Sequence, residues 1–169
     1  MLKQTFIALV ACIGLGATAL AQAEAPEMSD AERIARQYMT YYSDVDIEGM
    51  ETLLAESVVF SDPTAMGQGI EGPDGLRFDT RDSAMEMLRG FRDSSGVIEL
   101  GFVWDTVFES NNRVVFMGHV NALYPSQTEG MAFRWRAAQT TVITVRDGLV
   151  IEQLDFANYR TTDQGLVAH

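Results

Sequence analysis

Four side chains in this 169-residue sequence have types and settings suited to moving a proton: Asp62, Asp155, Tyr38 and His119. Asp155 stands between Leu154 and Phe156 in a strand-like run, where an acid costs several kcal/mol to bury unless it is paired, neutral or facing a polar cavity. An arginine partner or an outward position at a sheet edge would equally satisfy it. Asp62 directly precedes Pro63 and closes a short apolar run, the ordinary place for a turn residue. Tyr38 lies on an apolar helical stripe, where a tyrosine is usually core with its hydroxyl on some backbone partner. His119 is the one histidine inside the folded region, since His169 is terminal, and a lone strand histidine is more often structural than catalytic. If Tyr38, Asp62 and Asp155 meet in one cavity, the two carboxyls cannot both ionise cheaply, and one becomes an acid or base near neutral pH. One internal histidine and carboxylates without calcium-loop spacing give no metal site, and without a glycine-rich phosphate loop no cofactor is expected.

The elements that must position these groups follow from periodicity. Ser29-Asp30-Ala31-Glu32 has the form of a capping box, and Ile34, Ala35, Tyr38, Met39, Tyr41 and Tyr42 continue as a wide stripe at helical spacing. Asp46 caps a shorter helix burying Ile47, Met50, Leu53 and Leu54. Val58-Val59-Phe60 is a short strand stopped by Ser61-Asp62-Pro63. Gly67 to Gly75 holds four glycines and a proline and reads as a surface loop or loose hairpin. Asp79 or Thr80 caps a third helix with Ala84, Met85, Leu88 and Phe91 on one face, ending near Gly96. Beyond it the period changes to two. Strands run from Ile98 to a turn at Asn111-Asn112, from Arg113 to Tyr124, through Phe133–Arg146, and after an Arg146-Asp147-Gly148 turn from Leu149 to Tyr159. Helices first and long antiparallel strands second define an α+β class. By strand parity Asp155 and Tyr159 share a face, and Gln139 shares one with Trp135, Ala137 and Ile143.

Composition narrows the partners. The formal charge of −12 and pI far below neutral oppose binding to nucleic acid or to anionic membrane surfaces, while 47% hydrophobic residues support a globular core. Lys3 followed by an apolar run from Phe6 to Leu20 and Ala21-Gln22-Ala23 has the form of a secretory signal cleaved after Ala23, with no membrane insertion afterwards. The exported chain then has eleven arginines, no lysine, 24 acids and no cysteine, and is periplasmic or secreted. Leu9-Val10-Ala11-Cys12 also resembles a lipobox, which would anchor the chain through a lipidated Cys12, although the apolar run continues past it.

The order helix, helix, short strand ending in Asp-Pro, helix, long strands resembles the nuclear transport factor two-like fold, the cone shared by ketosteroid isomerase and SnoaL-like cyclases. Tyr38, Asp46-Ile47-Glu48 and Asp62-Pro63 have a spacing similar to that of the isomerase. The resemblance implies a curved antiparallel sheet packed on three helices of the N-terminal half, with Tyr38 as oxyanion donor and Asp62 as proton-transfer base. It also implies that Asp155 and Tyr159 line the cavity. The isomerase's third group, a neutral carboxylic acid on a central strand, has no counterpart in Ala137-Ala138-Gln139-Thr140, where Gln139 offers only an amide. Asp62 with His119 would form an acid–base pair like that of the cyclases. Gln139, Tyr159, Trp135 and Trp104 are the expected pocket lining. The family's habit of pairing through the open sheet face implies a homodimer, with Arg134, Arg136 and Thr140 beside Trp104 or Tyr124.

The expected organisation is a signal peptide at 1–23, a tether at 24–28, the cone domain at 29–162 and a tail at 163–169. The expected function is an exported protein with an apolar, acid-containing pocket for a small hydrophobic or mixed-polarity molecule, carrying proton-transfer chemistry of isomerase, cyclase or hydrolase type. The alternative is a non-catalytic module binding a ligand or partner with the same cone.

Overall fold

The computed structural model describes residues 27–65 and 75–169. The segment read as a signal peptide, Cys12, and the glycine-rich stretch up to residue 74 lie outside the described residues. Helix α1 (Asp30–Ser43) starts where the capping box places it, the Ser29 side chain accepting the Glu32 N–H at 3.0 Å. Asp46 caps α2 (Ile47–Thr52) by accepting from the Gly49 N–H, and Thr80 caps α3 (Arg81–Ser95), which ends on a left-handed Gly96. Their apolar faces bury Ala35, Tyr38 and Met39 from α1, Ile47 and Met50 from α2, and Ala84, Met85 and Leu88 from α3.

Seven strands form one sheet: β1 (Leu54–Asp62), β2 (Leu76–Phe78), β3 (Glu99–Ser110), β4 (Arg113–Pro125), β5 (Met131–Arg146), β6 (Leu149–Ala157) and β7 (Asp163–Ala168). The order is β2-β1-β6-β5-β4-β3, with β7 added on β5. Asn111-Asn112 and Asp147-Gly148 close two hairpins with positive φ at both central residues, the turn whose twist suits adjoining strands. An extra residue at Asp105 bulges β3, and Gly118 opposite it leaves room for the kinked backbone, since a Cβ there would collide with the Val103 carbonyl oxygen.

The structure departs from the sequence reading at element bounds, with Leu54 opening a longer β1 instead of closing α2 and β6 ending at Ala157 instead of Tyr159, and in two features of topology. The sheet is mixed, not wholly antiparallel: β1 runs parallel to β6, because these strands are joined through the rest of the sheet and no hairpin dictates their direction. Residues 163–169 are not a free tail, since Asp163–Ala168 form β7, in register from Met131↔Ala168 to Arg136↔Asp163. The two halves of β5 therefore hold different partners on one side, β7 along Met131–Arg136 and β6 along Gln139–Arg146. Between them the chain turns through Tyr159, beside the end of β6.

Candidate functional site

The parallel register Ser61↔Leu154 carries Asp62 and Asp155 to neighbouring positions on adjacent strands. Both side chains turn inward, each only 5% exposed, and both line one cavity of about 210 Å³ under α1 and α3. Its walls are aromatic and aliphatic, including Tyr42, Phe60, Phe102, Leu88 and Trp135, with Gln139 and Tyr159 as further polar groups. A wider chamber of about 520 Å³ adjoins it, sharing Leu76, Phe91, Leu100, Trp135 and Tyr159 and adding Tyr124, Phe133 and Gln164. Gln164 comes from β7, so the strand at the chain's end contributes to this outer chamber.

Asp62 is held by the turn it closes. Its Oδ1 accepts the backbone N–H groups of Thr64 and Ala65 at 2.9 and 3.1 Å and the Thr64 hydroxyl, an arrangement proline at 63 favours by ending the strand. Thr64 Oγ1 in turn accepts the Ala157 N–H at 2.8 Å, which ties this turn to the end of β6. Asp62 Oδ2 accepts from the Tyr159 hydroxyl at 2.8 Å. Burial and that bond to a carboxylate push the Tyr159 phenol well above its ordinary range, so it stays a donor. Gly75, at φ +68°, passes against this turn, and a Cβ there would collide with the Asp62 carbonyl oxygen and Pro63.

Asp155 sits in a polar seat inside the sheet. Thr141, its direct cross-strand partner, and the Gln139 amide at 3.2 Å donate to Oδ1, and the Gln153 amide donates to Oδ2 at 2.6 Å. Burial nevertheless dominates and, with the nearby Asp62 charge, pushes the Asp155 carboxyl up to about 6, against the pull of those three donors. An acid with that value exchanges protons close to neutral pH.

The other sequence candidates are distributed differently. Tyr38 is fully buried and does not reach the cavity, because its hydroxyl donates to Gln153 Oε1 at 2.6 Å behind Asp155. Tyr42, one helical turn further along α1, faces the cavity instead, and its hydroxyl bonds no other described side chain. Burial and the nearby Asp155 and Asp62 charges raise its phenol well above the usual range. His119 lies on the opposite face of the sheet, with Nδ1 3.7 Å from Asp105 Oδ2, so the Asp62–His119 pair does not form. One residue of strand parity separates it from Val120, which does line the cavity. Trp104 also stands apart: it stacks on Phe102 at 5.3 Å and borders a groove with Arg36 and Met39. The mixed patch expected of Arg134, Arg136 and Thr140 beside Trp104 or Tyr124 does not exist, since alternation sends the first three outward and Tyr124 to the inner chamber. Arg134 instead pairs with Asp163 of β7 at 2.7 Å.

Four polar residues of the site escaped the sequence reading, Tyr42, Thr64, Thr141 and Gln153, as did apolar lining such as Phe60 and Phe102. Gln153 had a usable signal, because it lies two residues from Asp155 on the same strand face, as Thr141 does from Gln139. Among the described residues no group of three or more acids, histidines or cysteines converges as a metal site, and no helix is long and apolar enough to cross a membrane.

Comparison with known proteins gives this geometry a context. The SnoaL-like domain matches residues 35–153. A protein assigned as a SnoaL-like polyketide cyclase from Shewanella denitrificans OS-217 superposes with a TM-score of 0.65 at 20% identity, over 79% of this chain and 94% of that one. A Δ5-3-ketosteroid isomerase from Mycobacterium sp. superposes at 0.64 with 16% identity, over 82% and 100%. An LEH-like epoxide hydrolase from M. tuberculosis reaches 0.57 with 14% identity, over 79% and 86%. At these identities the likeness is one of fold. No curated relative matches the chain.

Proposed function

The chain belongs to the SnoaL-like domain family, and from that premise we propose that it takes a small organic molecule into the Asp62–Asp155 cavity and moves a proton on it. The observation that carries this reading is the placement of two carboxyls, each 5% exposed, in one aromatic-walled cavity. Asp62, its carboxylate oriented by four donors, is suited by position to act as the base. Asp155, at about 6, is suited to give a proton near neutral pH. Tyr42 is the hydroxyl placed to orient the ligand, and Tyr38 acts behind the site through Gln153.

The test is proton exchange. Candidate carbonyl compounds, esters, epoxides and amines are screened for ligand-induced thermal stabilisation, and binders are incubated in D2O and followed by NMR. The expected result is deuterium incorporation or turnover in the native chain that Asp62→Asn abolishes without abolishing stabilisation. Stabilisation with no exchange or turnover for any binder would instead favour a binding module. One feature supports that second reading: both N–H groups of the Gln139 amide are engaged, on Thr141 and on Asp155, so Gln139 has no donor for a developing oxyanion.

The same proposal includes export and pairing. Cleavage after Ala23 would deliver a periplasmic or secreted chain, checked by N-terminal mass analysis, with a lipidated Cys12 as the opposing result. Val103, Met117 and Phe156 are exposed apolar side chains on the outer sheet face around His119, a surface suited to a homodimer. Light scattering at micromolar concentration tests it, and a monomer mass would reject it.

A further inference from the structure

The hydrogen-bond capacity of the inner cavity is one-sided. Its donors are largely engaged within the protein: Tyr159 on Asp62, Thr141 on Asp155, and both N–H groups of Gln139 on Thr141 and Asp155. Its acceptors are not. Asp62 Oδ2 receives only the Tyr159 hydroxyl and Asp155 Oδ2 only the Gln153 amide, among the described residues, and a carboxylate oxygen takes two donors. No lysine or arginine lines either chamber among the described residues, so nothing basic in the protein offsets the two acids.

We infer that the cavity selects a small hydrophobic primary or secondary amine, held as its ammonium by Asp62 Oδ2 and Asp155 Oδ2 with its apolar part against Phe60, Phe102 and Trp135. An ammonium brings several N–H donors and a positive charge to the two free acceptor positions, and the aromatic walls favour a cation further. A ketone or ester brings only acceptors and finds only the Tyr42 hydroxyl, and Asp155 while protonated, to meet it. A carboxylate is repelled by both acids. The amine also counters the burial that raises the Asp155 carboxyl to about 6. This inference rests on the proposed use of the cavity and adds the class of molecule that fills it.

Calorimetric titration of the full chain near neutral pH with benzylamine, benzyl alcohol and benzoate separates the possibilities, since the three share a ring and differ in the polar end. The expected result is benzylamine binding about tenfold or more tighter than benzyl alcohol, with benzoate weakest. Asp62→Asn and Asp155→Asn should each bring benzylamine down to the level of benzyl alcohol, while unchanged alcohol binding shows that the cavity remains folded. Equal affinity for amine and alcohol, lost together on Trp135→Ala, would overturn the amine inference and leave the cavity reading standing. An amine preference that survives in the Asp62→Asn/Asp155→Asn double variant would overturn it too, by placing the amine on the acidic surface. Binding of none of the three at about 1 mM would overturn both.

Discussion

The Tyr38 hydroxyl donates to Gln153 Oε1 at 2.6 Å, across 115 residues of sequence, and this bond decides which way the Gln153 amide faces. With its oxygen turned to Tyr38, the amide presents its NH2 to Asp155 Oδ2, also at 2.6 Å. Tyr38 thus acts on Asp155 through one intermediary. The helix that carries it therefore reaches the acid from beside the cavity, through Gln153, while Tyr42, on the next turn, reaches the cavity itself.

Tyr38→Phe should accordingly do two things at once. It leaves the buried Gln153 Oε1 without a donor, which costs about 1–3 kcal/mol in urea unfolding. It also frees the amide to turn its oxygen toward Asp155, so the Asp155 carboxyl should titrate at still higher pH in a carbon-13 NMR titration. A stability loss with an unmoved Asp155 titration would reduce Tyr38 to packing.

Asp155 should make native stability fall with rising pH. Its carboxyl goes from an ordinary 3.8 when unfolded to about 6 when folded, so the folded state holds the proton more tightly. The associated stability is complete below the unfolded value and is lost as pH rises through the folded one, a change on the order of 3 kcal/mol. The groups facing it are Tyr38 and Tyr42 from α1, Asp62 from β1, Thr141 and Gln139 from β5, Gln153 beside it, and Tyr159, none of which supplies a positive charge. Denaturant unfolding of the native chain and of Asp155→Asn at about pH 4 and about pH 7 isolates this term. The variant should lack the decline, and parallel pH profiles would contradict the assignment.

Much of this arrangement is legible in the sequence because it follows from local chemistry. Ser29, Asp46 and Thr80 announce their helices by capping, and period-two alternation places Asp155, Gln139 and Trp135 on the inner face, while Tyr159 reaches it from the turn after β6. His119 was harder, because nothing local says which face of a strand with apolar residues on both sides turns inward, whereas Trp104 does turn inward and misses the cavity by its position along β3. For His119 the pairing Val120↔Ala137 settles it. The parallel β1–β6 pair and the return of β7 to β5 rest on contacts between distant segments, which periodicity does not encode. Tyr38 and Tyr42 share one apolar stripe, and choosing between them requires knowing that Gln153 lies beneath the first.

Gly75→Ala should be costly despite the smallness of the change. Its φ of +68° already disfavours a side chain, and the added Cβ would meet the Asp62 carbonyl oxygen and Pro63. The expected loss is about 1–3 kcal/mol, together with displacement of the Asp62 turn. A lowered melting temperature combined with perturbed Asp62 and Tyr159 resonances would show both effects, whereas Gly130→Ala, in open space at φ +70°, should leave those resonances in place.

Thr64 is the residue whose loss should separate holding Asp62 from merely filling space. Its hydroxyl donates to Asp62 Oδ1 and accepts the Ala157 N–H, so one oxygen joins the base candidate to the end of the strand that carries Asp155. Thr64→Val preserves shape but leaves the Ala157 N–H without its partner and takes one donor from Asp62, for an expected loss of about 1–3 kcal/mol. With one donor fewer on Oδ1, the Asp62 carboxylate should also lose its fixed position, read as displaced Asp62 and Tyr159 resonances. Thr64→Ser retains the hydroxyl and should restore those resonances while recovering most of the stability. If valine and serine shift stability alike and neither moves the Asp62 and Tyr159 resonances, the hydroxyl bridge has no hold on the acid, and the turn is fixed by its backbone N–H donors alone.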